Sequence, residues 1–499
     1  MEERAQETEL DFKTKFFYGF GSISFGIKNN GFSFFVLFVY NTVFGLPGWM
    51  TGLALNIILF MDAITDPLVG YYSDRTRSKW GRRHPYMYAA ALPVALTYYF
   101  LWTPPEYYSD WQLFFYFLVC AIIIRVFITF YEVPSISLGP ELTNNYVERT
   151  SLMSFRYFFG WFGGLTTYNL VWFWFGPNNV NETYSDGRFN PDAWAEYGLV
   201  AAALIFIGIL VTSLGTHKHI PRLLAPPESK AAPLGVVFRE LKETLLANRS
   251  YMFLFFSGLL AAMAGGMEAA FAIYFDSFFW GLNTSEMLTR GLCLYLAPVI
   301  AIFLAPVFTD RFGKKNTVMS IWTFQIIFAA LPFALRYIDL VYGTSLFPEN
   351  GSPYLLPVLC VHVVINVASG IIVFATLASM LMDLVEDIQL KTGRREEGIL
   401  FSARSFADKA VSGIGILFAG IILSLISFPD PEARKLLDNV VPNDILANLA
   451  LWYVPICIIA FGSALSLVSG YTLTRDDHEE NAANPDTKVW KDSYCFTLT

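Results

Sequence analysis

The stretch "LFMDAITDPLVGYYSDRTRSKWGRRHP", residues 59–85, begins inside an apolar run and ends in a cluster of bases. Asp62 and Asp66 lie four residues apart in the apolar part, so on a helix they share one face, a turn from each other. A lone ionised side chain at the centre of a bilayer costs at least ~2.5–3.5 kcal/mol, and a second like charge beside it adds repulsion. Such a pair is tolerable where it faces a wet cavity, shares a proton or holds a cation between its members. Thr65 adds a hydroxyl oxygen near the same face, and oxygen ligands suit a hard cation. Pro67 has no N–H and so frees a carbonyl one turn earlier as a further ligand. The competing view places both acids near the headgroups, bound only to Arg or water.

Composition sets the class. Of 499 residues, 55% are hydrophobic, 17% aromatic and only 15% charged, where a soluble domain carries about a quarter charged residues. Twelve apolar segments are long enough, or nearly so, to cross a bilayer: 16–41, 48–72, 85–103, 111–138, 150–176, 197–215, 251–280, 290–309, 317–340, 354–384, 398–428 and 447–472. They predict an all-α integral membrane protein of twelve transmembrane helices. With alternate loops assigned to alternate sides, one side receives 24 of the 34 Lys and Arg, and the other only Arg188, Arg290, Arg336, Arg434 and Lys435. The positive-inside rule then makes both termini cytoplasmic in a multi-pass protein of the cell (inner) membrane. The N-terminus is acidic and polar, with no cleavable signal peptide visible. Cys120, Cys293, Cys360 and Cys457 fall within spans and read as free thiols; Cys495 is too far from the end for a prenylation box.

The spans form two six-helix halves, residues 1–215 and 251–475, joined by a Pro-rich, mixed-charge linker at 216–250 and followed by a polar tail at 476–499. An internal repeat supports this. "GYYSDRTRSKWGRR" follows span two and "PVFTDRFGKK" follows span eight. Asp74–Arg75 and Asp310–Arg311 occupy equivalent places, each followed by Gly and two bases in a short turn. The Asp residues of this motif can bond helix ends and pair with Arg across the turn. Duplicated halves around a midplane site are a recurrent transporter plan.

Further charges lie at membrane depth. Arg125, Thr129 and Glu132 in span four have the spacing i, i+4, i+7, one stripe on one face. Span one carries Lys28, Asn29 and Asn30; span five Arg156 beside Gly160, Gly163 and Gly164, which allow close helix approach. Span seven carries Glu268, and span eleven Arg404 and Lys409. Structural ion pairs explain any one of these. As a set they favour function, because buried pairs rarely gain stability over apolar packing. No P-loop, His-Glu-x-x-His or Gly-x-Ser-x-Gly pattern is present, so neither an ATP-driven pump nor a membrane hydrolase has visible machinery. The chain is not expected to be an enzyme.

"DAITDPLVG" with "TRSKWGRRHPY", and then "YEVPSISLGPEL", "ERTSLMSFRYFFG", "FADKAVSG" and "YGFGSISFG", resemble segments of the glycoside–pentoside–hexuronide:cation symporters of the major facilitator superfamily. The likeness covers most of both halves and implies the major facilitator fold, with its two pseudo-symmetric six-helix halves. It implies a cation site at Asp62, Thr65, Asp66 and Thr129 with Lys409 near the acids. Lys28, Arg125, Glu132 and Arg156 are the expected substrate-binding residues. Glu132 and Arg156 match family positions at or close to the sugar site; Lys28 and Arg125 rest on their place at membrane depth. Arg395 and Glu397 match a charged cytoplasmic gating segment, alongside Asp74, Arg75, Asp310 and Arg311. Thr65 stands where the melibiose-type site has Asn, which leaves H⁺ and Na⁺ as rivals. Gly26 and Ile136 replace the acid and the Trp of the galactoside pocket, while Arg125 adds a positive group.

The expected function is cation-coupled symport of a glycoside, uronide or related polar organic solute by alternating access. "DAITDPLVG" also resembles lysolipid symporters of the wider family, so a lysolipid or other amphipathic solute is the alternative. A non-transporting sensor and a channel are more distant rivals. The expected partners are the solute, the coupling cation and the lipid bilayer, not nucleic acid; no cofactor or metal beyond the coupling ion is implied, and the chain is expected to be a monomer.

Overall fold

The structure, a computed structural model, describes residues 10–143, 146–175, 180, 184, 186–222, 248–392, 397–436 and 439–472. Among these residues every expected span is helical. The first is broken into α1 (Phe12–Phe20), α2 (Ser22–Asn30), a π-helical turn (Gly31–Phe35) and α3 (Val36–Thr42). There follow α4 (Gly48–Arg75), α5 (His84–Leu101), α6 (Asp110–Leu142), α7 (Tyr146–Trp174) and α8 (Pro191–His217). The second half of the chain contains α9 (Arg249–Tyr274), α10 (Thr284–Cys293), α11 (Leu296–Phe312), α12 (Lys314–Tyr342), α13 (Leu355–Thr392), α14 (Glu397–Leu425), the short α15 (Pro431–Leu436) and α16 (Asn443–Val468). Among the described residues nine segments are long and apolar enough to cross a membrane. The remaining expected spans are the broken first one, α5 and α7, and two of these three hold the polar residues discussed above.

Local chemistry sets the helix ends. Ser109 and Gln112 form a capping box at the start of α6. Asn190 accepts from the Asp192 N–H at 3.0 Å, and Pro191 takes the first position of α8. That helix therefore starts six residues before the apolar run does.

The described residues gather into two compact units. The first draws on Met1–Ala231, Gly266–Leu292 and Gly413–Ile445. Within it α2 lies so close to α7 that a Cβ on Gly26 would stand 2.1 Å from the Gly160 carbonyl oxygen. No other residue fits there, which is the close approach that the glycines of span five allow. An aromatic layer of Phe35, Trp102, Trp172, Trp194 and Tyr197 closes the end of this unit near α3. The second unit draws on Ala232–Gly265, Cys293–Ser412 and Leu446–Thr499. Its core contains Tyr251, Leu254, Val318, Trp322, Val373, Met380 and Val468. None of Cys120, Cys293, Cys360 and Cys457 is in a disulfide.

A candidate coupling and substrate site

Four helices of the first unit bring the charged residues together. The α4 helix presents Asp62 and Asp66, and α6 answers with Arg125 and Thr129. Arg125 Nη1 donates to Asp62 Oδ2 at 3.1 Å, and both side chains are buried. The Arg125 guanidinium also stacks 4.6 Å from the Phe32 ring centroid. One turn along, Thr129 Oγ1 lies 3.0 Å from Asp66 Oδ1 and 2.9 Å from the Arg125 carbonyl oxygen. A hydroxyl has one proton, so Thr129 donates to only one of them at a time. Thr65 Oγ1 donates to the Asp62 backbone carbonyl at 3.1 Å, toward its own helix. Pro67 lies inside α4.

The rest of the α6 stripe faces other neighbours. Glu132 Oε2 lies 3.8 Å from Lys28 Nζ, a loose ion pair between α6 and α2. Lys28 is buried and sits 4.8 Å from the Phe25 ring centroid. Arg156 of α7 is also buried and donates to Ser135 Oγ of α6 at 3.0 Å. The expected cation residues of α4 and α6 and the expected substrate residues thus line neighbouring helices of one unit. Arg125 bridges the two sets. Lys409 is half-buried on α14 and falls in the second unit, as do Asp310 and Arg311, both exposed. Arg75 is half-buried at the end of α4. Arg395 and the side chains of Asp74, Glu397 and Arg404 lie outside the described residues.

Sequence reasoning missed where the repeated turns make their strongest bonds. Arg82 Nη2 and Arg83 Nε both reach Glu141 Oε1, at 2.7 and 2.5 Å. In the second unit Lys314 Nζ holds Asp383 Oδ2 at 2.6 Å. In both repeats a base that follows the turn glycine clasps an acid near the end of the span two further on. The signal was available: Glu141 and Asp383 occupy equivalent places in spans four and ten. Another pair, Lys15 with Glu148, joins the start of α1 to the start of α7 at 2.9 Å.

The chain is similar to known transporters along nearly its whole length. It is 24% identical to an uncharacterized symporter (sll1374) of Synechocystis sp., covering 96% of this chain and 97% of that one. It is 26% identical to the mouse sphingosine-1-phosphate transporter MFSD2B, covering 93% and 90% respectively. Its fold is similar to that of the nucleoside transporter NupG, with a TM-score of 0.59 at 15% identity over 93% of this chain and all of that one. Residues 17–475 match the family model described as MFS/sugar transport protein. The chain is therefore a multi-pass member of that family of the major facilitator superfamily, a symporter and not an enzyme.

Proposed function

We propose that this symporter couples solute movement to a small monovalent cation, H⁺ or Na⁺, carried at Asp66. The observation that carries this is the unequal treatment of the two α4 acids. Asp62 is balanced by the Arg125 guanidinium, while Asp66 receives a neutral hydroxyl from Thr129. A fixed guanidinium already sits on Asp62, and Asp66, held by the Thr129 hydroxyl, is the carboxylate assigned to gain and lose the ion. Thr65 and Lys409 complete the cation set by family resemblance.

The solute is a glycoside, uronide or related polar organic compound bound at Lys28, Glu132 and Arg156. Support comes from the charged Lys28, Glu132 and Arg156 on neighbouring helices of one unit, groups that recognise a hydrogen-bonding solute. Filling both sites or neither permits alternating access, and coupling follows from reciprocal binding energies. The turn residues Asp74, Arg75, Asp310 and Arg311, with Arg395 and Glu397, gate the cytoplasmic side, where both termini lie.

Uptake into vesicles under an imposed Na⁺ or H⁺ gradient tests the reading, with the two gradients as separate arms. Accumulation driven by one of them is expected; equal uptake with and without either gradient contradicts coupling. A second reading, a lysolipid solute, is favoured by the mouse relative's name and by the exposed aromatic face of α7, Tyr157, Phe158, Trp161 and Phe162. A thermal-shift panel of sugars, uronides and lysolipids decides between them.

A further inference from the structure

At the end of the first unit away from Glu141, the buried guanidinium of Arg434 has no carboxylate within ion-pair distance among the described residues. Its Nη2 donates to the Thr42 carbonyl at 2.5 Å and its Nε to Asn439 Oδ1 at 3.3 Å, but Nη1 has no hydrogen-bond partner. Its flat faces meet the rings of Phe189 and Phe278, 4.2 and 5.6 Å from their centroids. The nearby acids are engaged elsewhere. Asp186 forks onto Arg188 at 2.5–3.1 Å, and Asp430 Oδ1 accepts from the Ala433 N–H at 2.7 Å. Asp186 and Asp430 still favour the Arg434 charge at longer range, but a buried charge without an ion-pair contact is expensive to keep.

A cavity of about 40 Å³ lies against this residue, lined also by Lys435, Thr42, Asn439 and Asp186. One water needs roughly 10–15 Å³ of such space, so there is room for a monatomic anion with a water, and none for a sugar. The walls carry Arg434 and Lys435 against the single carboxylate of Asp186, which also forks onto Arg188, so their net charge is positive. Burial pulls the Arg434 pKa down, to about 10, which leaves it charged at neutral pH. We propose that this cavity binds a small inorganic anion of the chloride class, which supplies Arg434 with a counter-charge in ion-pair contact that the described residues do not provide. Arg434 ties the end of α3 to Phe189 and Phe278, so the anion would hold these segments together.

The test is thermal melting of the purified full-length protein, with sodium gluconate exchanged for sodium chloride at constant Na⁺ and ionic strength. Constant Na⁺ separates this outcome from any failure of cation coupling at Asp66. A saturable rise in Tm of roughly 2–4 °C is expected with chloride and with bromide. Arg434→Gln should lose the response. Asn439 has φ +60°, a conformation Asp also tolerates, so Asn439→Asp would place a carboxylate beside Arg434 with little strain. This variant should melt in gluconate as high as the wild type does in chloride, and ignore added chloride. Equal melting of the wild type in gluconate and chloride would overturn the proposal. So would an equal rise with sulfate, or a full chloride response in Asn439→Asp.

Discussion

Arg125 and Asp62 form a buried ion pair across α6 and α4, Nη1 to Oδ2 at 3.1 Å, with the guanidinium stacked on Phe32. Taken singly, each group would be costly at membrane depth; together they offset one another, while the neighbouring Asp66 accepts from the Thr129 hydroxyl. The asymmetry between two acids one turn apart is the feature from which the proposed coupling follows.

Removing one member of that pair leaves the other charged and buried. Arg125→Met is expected to cost about 3–5 kcal/mol of stability. Adding Asp62→Asn to it should recover most of the loss. A double-mutant cycle of unfolding in detergent measures the coupling, and additive losses would show that the two groups do not depend on each other.

The two repeat clasps differ in burial, and their energies should differ with it. Glu141 and both its arginines are at most 8% exposed at the side chain, whereas Lys314 is 35% exposed. Glu141→Gln should cost about 3 kcal/mol, and Asp383→Asn no more than about 1 kcal/mol. Parallel melting curves of the two variants check the order.

His84 is the first residue of α5, just ahead of the apolar run at 85–103, buried and bonded through Nε2 to Thr216 Oγ1 at 3.0 Å. Burial, helped by the neighbouring His217 and His219, pulls its pKa from 6.5 to about 4. Between these values the unfolded chain binds a proton that the folded chain refuses, so stability rises with pH across that window. The contribution is complete above pH 6.5 and lost as pH falls toward 4, by roughly 2–3 kcal/mol at most. His84→Asn should flatten this part of the pH–stability curve, read from Tm at pH 4.5, 5.5 and 7.

The α2–α7 contact leaves no space for a methyl group. Gly26→Ala should destabilise by roughly 1–3 kcal/mol, because a Cβ there meets backbone and not a yielding side chain. Gly265, with no atom within 4 Å of its Cβ position, is the matched control and should lose far less when changed to Ala.

How much of this was legible in the sequence varies residue by residue. Asp62, Asp66 and Arg125 stand out because ions are conspicuous in oil, and periodicity alone puts Arg125, Thr129 and Glu132 on one face. Which neighbour each would meet was not legible: the stripe divides, with Arg125 and Thr129 turned to α4 and Glu132 to α2. That division depends on how α2 and α4 flank α6, which no local pattern encodes. Glu141 and Arg434 were passed over for the opposite reason. Near span ends a charge reads as solvated, yet both prove to be buried at the side chain. The breaks in the first span follow from Gly21 and the π-helical turn beginning at Gly31, where the glycines hint at a loosened helix without saying of which kind.

The most direct measurement compares wild type and Asp66→Asn in the same vesicles, by solute exchange at equilibrium and by gradient-driven accumulation. Asn keeps the shape and an acceptor for Thr129 but can neither take up a proton nor offset a sodium ion. The expected result is that exchange persists while accumulation against a gradient disappears. Undiminished accumulation in Asp66→Asn would contradict the assignment of the coupling ion to this carboxylate.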